Sequence, residues 1–541
     1  MRIGVDVGGT NTDAVLIDGA RILASTKQPT SSDVRTGVAG AIAAVLAQAG
    51  VASQAVRSVM IGTTHFTNAL VERNSLDRVG IIRLASPSGE ALPPLTGWPE
   101  ALVERIGRRL FLLPGGYEVD GREISPLDEA AVRAAARALR EEGVTSIAVS
   151  SAFAPMNGAM EERAAELILS EHPEARISSS HAIGRLGIIE RENGTILNAA
   201  LSTLARQVMA SFVEALVDLG VRAPLYISQN DGTLTSSDSA ARYPVMTIGS
   251  GPTNSMRGAA FLTGLQNAIV MDVGGTTCDI GVLAKGFPRE SSIAVDIGGV
   301  RTNFRMPDIL AIGLGGGTRI HLDPALYTAD RLDEGALRIG PDSTGYRITS
   351  ESRVFGGDTL TASDVAVGSG YASFGDPLAL PEMSDAVRRT IWSQMQAVLA
   401  NGLDVMKTAP GDATIIAVGG GHFLVADDMP GASTVVRPPH AEVANAVGAA
   451  IAQVGVQLEQ IVDYDHAPRD EALARLRGEA KAALIEAGGA PSSFEVVDVD
   501  EIFLSYLPGR SAQVRLKAVC DLEEAAGGEA PAAMADIHHA Y

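Results

Sequence analysis

Cysteine is nearly absent from this sequence, with 2 residues in 541, Cys278 and Cys520. So few thiols exclude a disulfide framework and agree with a reducing, cytoplasmic compartment. Positive charge is in deficit: 43 Lys and Arg face 64 Asp and Glu, for a formal net charge of −21. Nucleic acid and anionic membrane both reward Lys and Arg, so neither is expected as a partner. The chain contains no GxxxxGK[ST], which disfavours a Walker-type NTPase. It also has no HExxH and no CxxC, and His440, His538, His539 and Cys278 do not make a metal set, so structural zinc is not expected. Long hydrophobic runs are missing as well. The N-terminus runs straight into "MRIGVDVGGT" with no apolar stretch of signal-peptide length. The uncharged stretch 37–56 is long enough to span a bilayer, but Gln48, Ser53 and Gln54 interrupt it, and its Ala and Gly content reads as a buried helix.

What remains is Gly and Ala, 46% hydrophobic residues and only 4% aromatics, the composition of a soluble α/β protein. The length is too great for one core. The most informative feature is an internal echo. "DVGGTNTD" at 6–13 returns as "DVGGTTCD" at 272–279, six of eight residues identical at a spacing of 266. Each copy lies between two strand-like runs, "RIGVDV" and "DAVLID" in the first, "AIVMDV" and "DIGVLA" in the second. Around them, helical patterns (33–50, 66–73, 128–142, 187–216, 382–407, 441–454) alternate with strands (56–62, "TSIAVSSAF", "PLYISQ", "IIAV"), which predicts a parallel or mixed sheet covered by helices. Three regions are expected. They are an N-terminal unit over 1–185, a second unit over 186–455, and a small α+β appendage over 456–541 with a charged helix (468–488), two strands and a frayed tail.

A Gly-Gly turn between strands aims successive backbone N–H groups into one concavity, a nest for phosphate. Gly8, Gly9, Thr10 and Asn11 would form one nest and Gly274, Gly275, Thr276 and Thr277 the other, with the threonine hydroxyls as added donors. Asp6 and Asp272 stand just before the glycines. A carboxylate there would repel an anion unless a divalent cation lay between them, and Mg²⁺ is the natural choice. Two facing loops would then grip a polyphosphate from both sides. A third turn, Gly419-Gly420-Gly421, either lets backbone approach a flat ring such as adenine or is an ordinary strand-to-helix turn. "GLGGGT", with Gly315 and Gly316, either closes over phosphate or bends the chain. Asp13 and Asp279 match in the repeat and serve the opposite turn or a metal. Cys278 reads as a small buried apolar residue and "RPPH" (437–440) as a turn.

The DxGGT loop, the DxGGTxxD loop, the late "VGGG" and "NAVGAA" (445–450) resemble the sugar kinase, heat-shock chaperone and actin superfamily. More narrowly, the chain resembles the A-type subunit of the hydantoinase/oxoprolinase family. The motifs in order are "VDVGGTNTDAVLID" (5–18), "IGTTHFTNALVER" (61–73), "IERENGTILNAAL" (189–201), "SQNDGTL" (228–234), "IGSGPTNSMRGAA" (248–260) and "MDVGGTTCDIG" (271–281). The match covers 1–455. It implies two duplicated actin-like, ribonuclease H-like domains flanking a nucleotide cleft. It also implies ATP and Mg²⁺ as cofactors, phosphorylation of a lactam or imide carbonyl oxygen, and hydrolysis with a B-type partner subunit. Ketone- or enol-phosphorylating carboxylase subunits are an alternative, as is a nucleotide-gated interaction protein of the same fold; a homo-oligomer is compatible with each. The chain departs from the longer members at Ile61, where a His is usual before Gly-Thr-Thr, and at "SGPTNS", where Ser-Gly-Pro-Ala-Gly is commoner.

For the substrate, Thr63, Thr64, His65, Thr67 and Asn68 cluster at a strand-to-helix junction and could hydrogen-bond a ring amide; helix capping by Thr64 or Thr67 is the competing reading. The run Glu190 to Asn193 reads as a solvated helix face, although the resemblance draws Arg191 and Asn193 into the cleft. Aligning a carbonyl with a phosphoryl group and neutralising charge needs little covalent help, so Asp6 and Asp272 are the expected catalytic and metal-binding residues.

Overall fold

A computed structural model describes residues 1–31, 33–291, 295–304, 306–504 and 509–523. The expected frayed tail, with His538 and His539, falls outside these residues beyond Glu523.

Both predicted hairpins form. Arg2–Val7 pairs antiparallel with Asn11–Asp18, and Ala268–Val273 with Cys278–Ala284. Each first strand also pairs in parallel with a later one, Ser58–Thr63 in the first half and Ala413–Val418 in the second. Strand alternation explains the nearly continuous apolar runs, because both faces are covered. In Asn11–Asp18, Ala14 and Leu16 join the core under helix Val34–Ala49, while Val15 and Ile17 face helix Ala444–Ile451. In the second half, Met271, Val273 and Ile280 pack with helix Asp385–Met406, and Val270 and Leu283 with helix Ser250–Thr263. The fold is thus two similar α/β units, each with one helix outside and one inside.

The two inner helices lie back to back between the sheets, and glycine sets their distance. A Cβ on Gly448 would lie 1.8 Å from the Asn254 carbonyl oxygen, and one on Gly258 would lie 1.9 Å from that of Ala444. Gly4 of the first strand is as tight, with a Cβ position 2.1 Å from the Ala446 oxygen. "SGPTNSMRGAA" and "NAVGAA" are therefore two sides of one contact.

The larger sheet holds nine strands, and it gathers segments from far along the chain. Beyond Ser58–Thr63 come Leu225–Ser228, Leu234–Ser236, Val454–Asp463, Ser511–Cys520 and Glu495–Phe503. The strands expected in a C-terminal appendage thus extend the N-terminal sheet, and so do two from the region assigned to the second unit. Val454–Asp463, unforeseen because its polar residues alternate irregularly, makes the join by pairing with Leu234 on one side and Ser511–Cys520 on the other. Helix Arg469–Glu486 covers this extension through Leu473, Leu476 and Leu484. A separate four-stranded parallel sheet, Arg109–Pro114, Val79–Ser86, Ser146–Ser151 and Arg176–Ser179, lies within the first third of the chain under helices Glu129–Glu141 and Ala159–Glu171.

The long helical pattern at 187–216 is two helices, Ile188–Ala200 and Ser202–Asp218, bent by 55°. The pattern at 441–454 is a short 3₁₀ turn, Ala441–Val443, followed by helix Ala444–Ile451. No single helix of the described residues is long and apolar enough to cross a membrane. Cys278 is fully buried and His440 sits in a turn with φ 64°, both as read from sequence.

Candidate functional site

The two glycine loops are built alike. In each hairpin the aspartates at its ends are cross-strand partners, Asp6 opposite Asp13 and Asp272 opposite Asp279. The same turn bond closes each loop: the Gly8 N–H donates to the Asn11 oxygen at 3.0 Å, and the Gly274 N–H to the Thr277 oxygen at 2.8 Å. Gly9, Thr276 and Thr277 are exposed at the loop tips.

A third segment completes each half in an equivalent place. Asp6 is level with Gly62 on the parallel strand, and Asp272 is level with Val418. The Thr64 N–H then donates to the Val7 oxygen at 3.2 Å, as the Gly421 N–H donates to the Val273 oxygen at 2.7 Å. "GTTH" and "VGGG" are thus counterparts. Glycine is required where they pass the carboxylates. A Cβ at Gly62 would lie 2.7 Å from Asp6 Oδ1, and one at Gly419, whose φ is 85°, would lie 2.3 Å from Asp272 Oδ1.

Electrostatics tie the halves together. Asp6 is 5% exposed, and its Oδ2 accepts from the Asn445 side-chain amide at 2.9 Å; the same amide reaches Asp13 Oδ2 at 3.0 Å. Lys27 Nζ grips both Asp13 oxygens at 2.8 and 2.7 Å. The lysine stem also passes 3.4 Å from the Cβ position of Gly420, so it leans from the first half onto the second. Burial pushes the Asp6 carboxyl up to about 7, helped by the charges of Asp13 and then Asp272. Asp279 also rises to about 7, through burial and then the charge of Asp272. Asp272 is raised by burial against an opposing hydrogen bond from Ser255. These couplings bring the two loops to one place. Asp6 Oδ1 is buried without a partner. Crowded carboxylates with an orphaned oxygen are a donor set that fits a hard divalent cation shared with phosphate.

A pH effect follows. The folded protein keeps protons on Asp6 and Asp279 that the unfolded chain releases near 3.8. Their stabilisation is complete below about pH 4 and is lost as pH rises through about 7. Thermal midpoints of nucleotide-free protein should therefore fall between about pH 5 and about pH 8, and Asp6→Asn should flatten the slope. An unchanged slope in the variant would show that Asp6 carries no such proton.

The substrate residues suggested by sequence divide. Thr64 occupies an N-cap position without a side-chain cap bond; its hydroxyl donates to the Val7 oxygen at 3.3 Å instead. Thr63 Oγ1 pairs with His65 Nδ1 at 2.6 Å, and burial lowers the His65 pKa. Exposed Asn68 donates to Thr64 at 3.4 Å and comes within 3.8 Å of a Cβ at Gly9, so this cluster adjoins the first loop.

The run Glu190 to Asn193 is not a solvated face. Arg191, Glu192 and Asn193 are at most 5% exposed. Arg191 donates to Ser180, Arg185 and Ser151, and Asn193 is held between Trp98 and the Arg301 carbonyl. Glu192 forms a buried pair with Arg83 at 2.5 Å. These bonds fasten helix Ile188–Ala200 to the four-stranded sheet and its neighbours, and none goes to either glycine loop. Gly315 and Gly316 pack on the second loop with their N–H groups already used, one on Thr318 Oγ1 and one on the Gly274 oxygen.

Sequence reasoning missed Lys27, Asn445, Asn254 and Ser255. Lys27 is the one cation in "RILASTKQP" after Arg21 and is 14 residues from Asp13, a separation that a hairpin closes. Asn254 is fully buried with both amide atoms unpartnered, and its Nδ2 and Asp6 Oδ1 flank the same Cβ position at Gly62.

Two related α/β units with paired glycine hairpins and facing carboxylates define an actin-like ATPase fold. The chain belongs to the hydantoinase/oxoprolinase family: residues 2–172 match the hydantoinase/oxoprolinase N-terminal region and residues 191–411 match hydantoinase/oxoprolinase. It is 29% identical over 443 residues to the caprolactamase subunit alpha of Pseudomonas jessenii, a match covering 77% of this chain and 61% of that protein. The chain thus aligns with less than two thirds of that relative. Over 573 residues it is 25% identical to the acetophenone carboxylase gamma subunit of Aromatoleum aromaticum, covering 91% of this chain and 76% of the relative. The crystal structure of the ATP-dependent caprolactamase from Pseudomonas jessenii superimposes with a TM-score of 0.75 at 22% identity, covering 97% of this chain and 88% of that one.

Proposed function

We propose that this chain is the ATP-using subunit of an enzyme that phosphorylates a carbonyl oxygen of a cyclic amide or imide, such as 5-oxoproline or a hydantoin. Ring-opening hydrolysis then proceeds with a B-type partner subunit. The observation that carries the reading is the convergence of Asp6 and Asp272, each at the root of a glycine loop, with Asp6 Oδ1 left unpartnered. Asp6 and Asp272 would hold Mg²⁺, which when bound supplies the charge that lets carboxylates and polyphosphate share one cleft.

The chain's own residues orient and neutralise. The turns at Gly8–Asn11 and Gly274–Thr277 present backbone donors to phosphate from opposite sides. Lys27, anchored on Asp13, places one positive charge at their junction. Asn445 fixes the face that Asp6 presents. Gly419–Gly421 keeps the backbone low where a nucleobase or ribose would lie. In-line alignment of a carbonyl with the terminal phosphoryl group is then mainly a matter of position and charge. The likeness to an acetophenone carboxylase subunit favours a second reading, phosphorylation of a ketone or enol.

The test is ADP release with 5-oxoproline, hydantoins, lactams and ketones, with and without the partner subunit and bicarbonate. Stimulation by a cyclic amide without bicarbonate is the expected result. Release that requires bicarbonate and a ketone would select the second reading, and no release with any of them from folded protein would refute both.

A further inference from the structure

"SQNDGTL" (228–234) contributes no group to the paired glycine loops. It forms the turn at the carboxyl end of strand Leu225–Ser228, which runs parallel to Ser58–Thr63, itself parallel to Arg2–Val7. Ile61 is level with Ile227, and Gly62 with Asp6, so Ser228 falls in the row of Asp6, two strands away. Two strand spacings amount to roughly 10 Å. The turn therefore stands beside the first glycine loop at the carboxyl end of three parallel strands of one mixed sheet, where α/β proteins bind ligands.

A cavity of about 290 Å³ opens there, lined by Gln229, Asn230, Thr233, Tyr243, Asn303 and Gln457 among others. A second of about 220 Å³ adjoins it and shares Arg185, Met246 and Gln457. The lining comes from distant segments: the "SQNDGTL" turn with the strand after it, residues 239–246, the turn at 182–185, Asn303 and Phe304, and strand Val454–Asp463. Asn230 lines the cavity and is only 6% exposed. Asn303 donates to the Arg185 and Leu186 carbonyls while its Oδ1 is buried and unpartnered. A buried acceptor without a partner is unfavourable, so the Asn303 oxygen is a group held ready for a donor.

The charges nearby are already matched. Lys517, 6% exposed, pairs with Asp231 at 3.1 Å and Glu290 at 3.0 Å. Arg185 and Arg515 both pair with Glu459, at 3.5 and 3.1 Å. The amide donors of Asn303, Gln229 and Gln457 are used within the protein, so what is left over is neutral: the Asn230 carboxamide, the other carboxamide oxygens, hydroxyls, and the Tyr243 and Phe304 rings. Such a lining complements a ring that carries adjacent N–H and C=O groups and no net charge.

We propose that this cavity is the pocket for a neutral cyclic amide or imide, with Asn230 and Asn303 reading its N–H and C=O edge. The assignment rests on the function proposed above and narrows it: hydantoins and simple lactams fit, whereas the carboxylate of 5-oxoproline would find every cation in the pocket already paired.

Two measurements on the full chain test it together. Hydantoin and 5-oxoproline are titrated into nucleotide-free protein by saturation-transfer NMR, and ADP release is followed in the same preparations. Asn230→Leu, which fills the cavity without changing charge, and Tyr243→Phe, which removes a single hydroxyl, are compared with wild type. Thermal midpoint and ATP affinity serve as controls for the fold. Hydantoin binding that Asn230→Leu weakens about tenfold or more, with ATP affinity unchanged, is the expected result. Hydantoin binding that is equal in wild type and both variants overturns the pocket, as does absence of hydantoin binding or a preference for 5-oxoproline. Hydantoin-stimulated ADP release that is indifferent to both variants also overturns the pocket, while the proposed function stands. Binding that depends on Asn230 without ADP release from any ring upholds the pocket and removes the proposed function.

Discussion

Asp6→Asn is expected to lower ADP release by about two to three orders of magnitude while leaving the fold intact, and Asp272→Asn to do the same. In the proposed site the two carboxylates share one cleft, and Asp6 feels the charge of Asp272. Their effects should therefore not add, and the double variant should be little worse than either single one. The asparagine keeps an oxygen to accept the Asn445 amide, so the bond recorded at 2.9 Å has a replacement. Stability should move the other way. Removing Asp6 relieves repulsion with Asp13 and Asp272, and nucleotide-free Asp6→Asn at about pH 8 should melt above wild type. Differential scanning calorimetry beside a coupled ADP assay reads both. A variant that loses turnover because it has unfolded would reveal a structural role, whereas one that melts higher and turns over normally would remove Asp6 from the site.

Gly448→Ala is expected to cost about 3 kcal/mol or more, although it adds one methyl group. Its Cβ would lie 1.8 Å from the Asn254 carbonyl oxygen, and the neighbour is helix backbone, which cannot rotate aside as a side chain could. The two inner helices would have to separate. Helix Ser250–Thr263 carries Asn254 and Ser255 toward the Asp6 and Asp272 carboxylates, and helix Ala444–Ile451 carries Asn445. The same substitution should thus weaken nucleotide binding in whatever protein still folds. Urea unfolding followed by circular dichroism, with ATP affinity measured in parallel, checks both effects. Wild-type stability would mean that the helices have freedom this packing does not show. Gly478→Ala, on helix Arg469–Glu486 where a Cβ meets nothing within 4 Å, is the control and should be neutral or slightly stabilising.

Much of this protein is local, and what is local was readable. Period-two alternation around a Gly-Gly turn specifies the hairpins at Arg2–Asp18 and Ala268–Ala284, and the repetition of "DVGGT" identifies them as counterparts. The family follows from the order of the motifs. The fate of Glu190–Asn193 was not readable, because a charged run looks alike in water and in a buried network. Arg83, arriving from a strand more than a hundred residues earlier, and Ser150 turn Glu192 inward. The cavity at Asn230 was not readable for a related reason. "GTTHFTN" shows its polar groups in one continuous stretch, whereas that cavity is assembled from five segments that only the tertiary fold brings together. The sequence by itself determined the two loops, their turns and their acids. The tertiary structure decided that the loops meet, that Lys27 and Asn445 join them, and which polar residues face a cavity, because contact between distant segments depends on sheet order and helix packing, which leave no periodic mark in the chain.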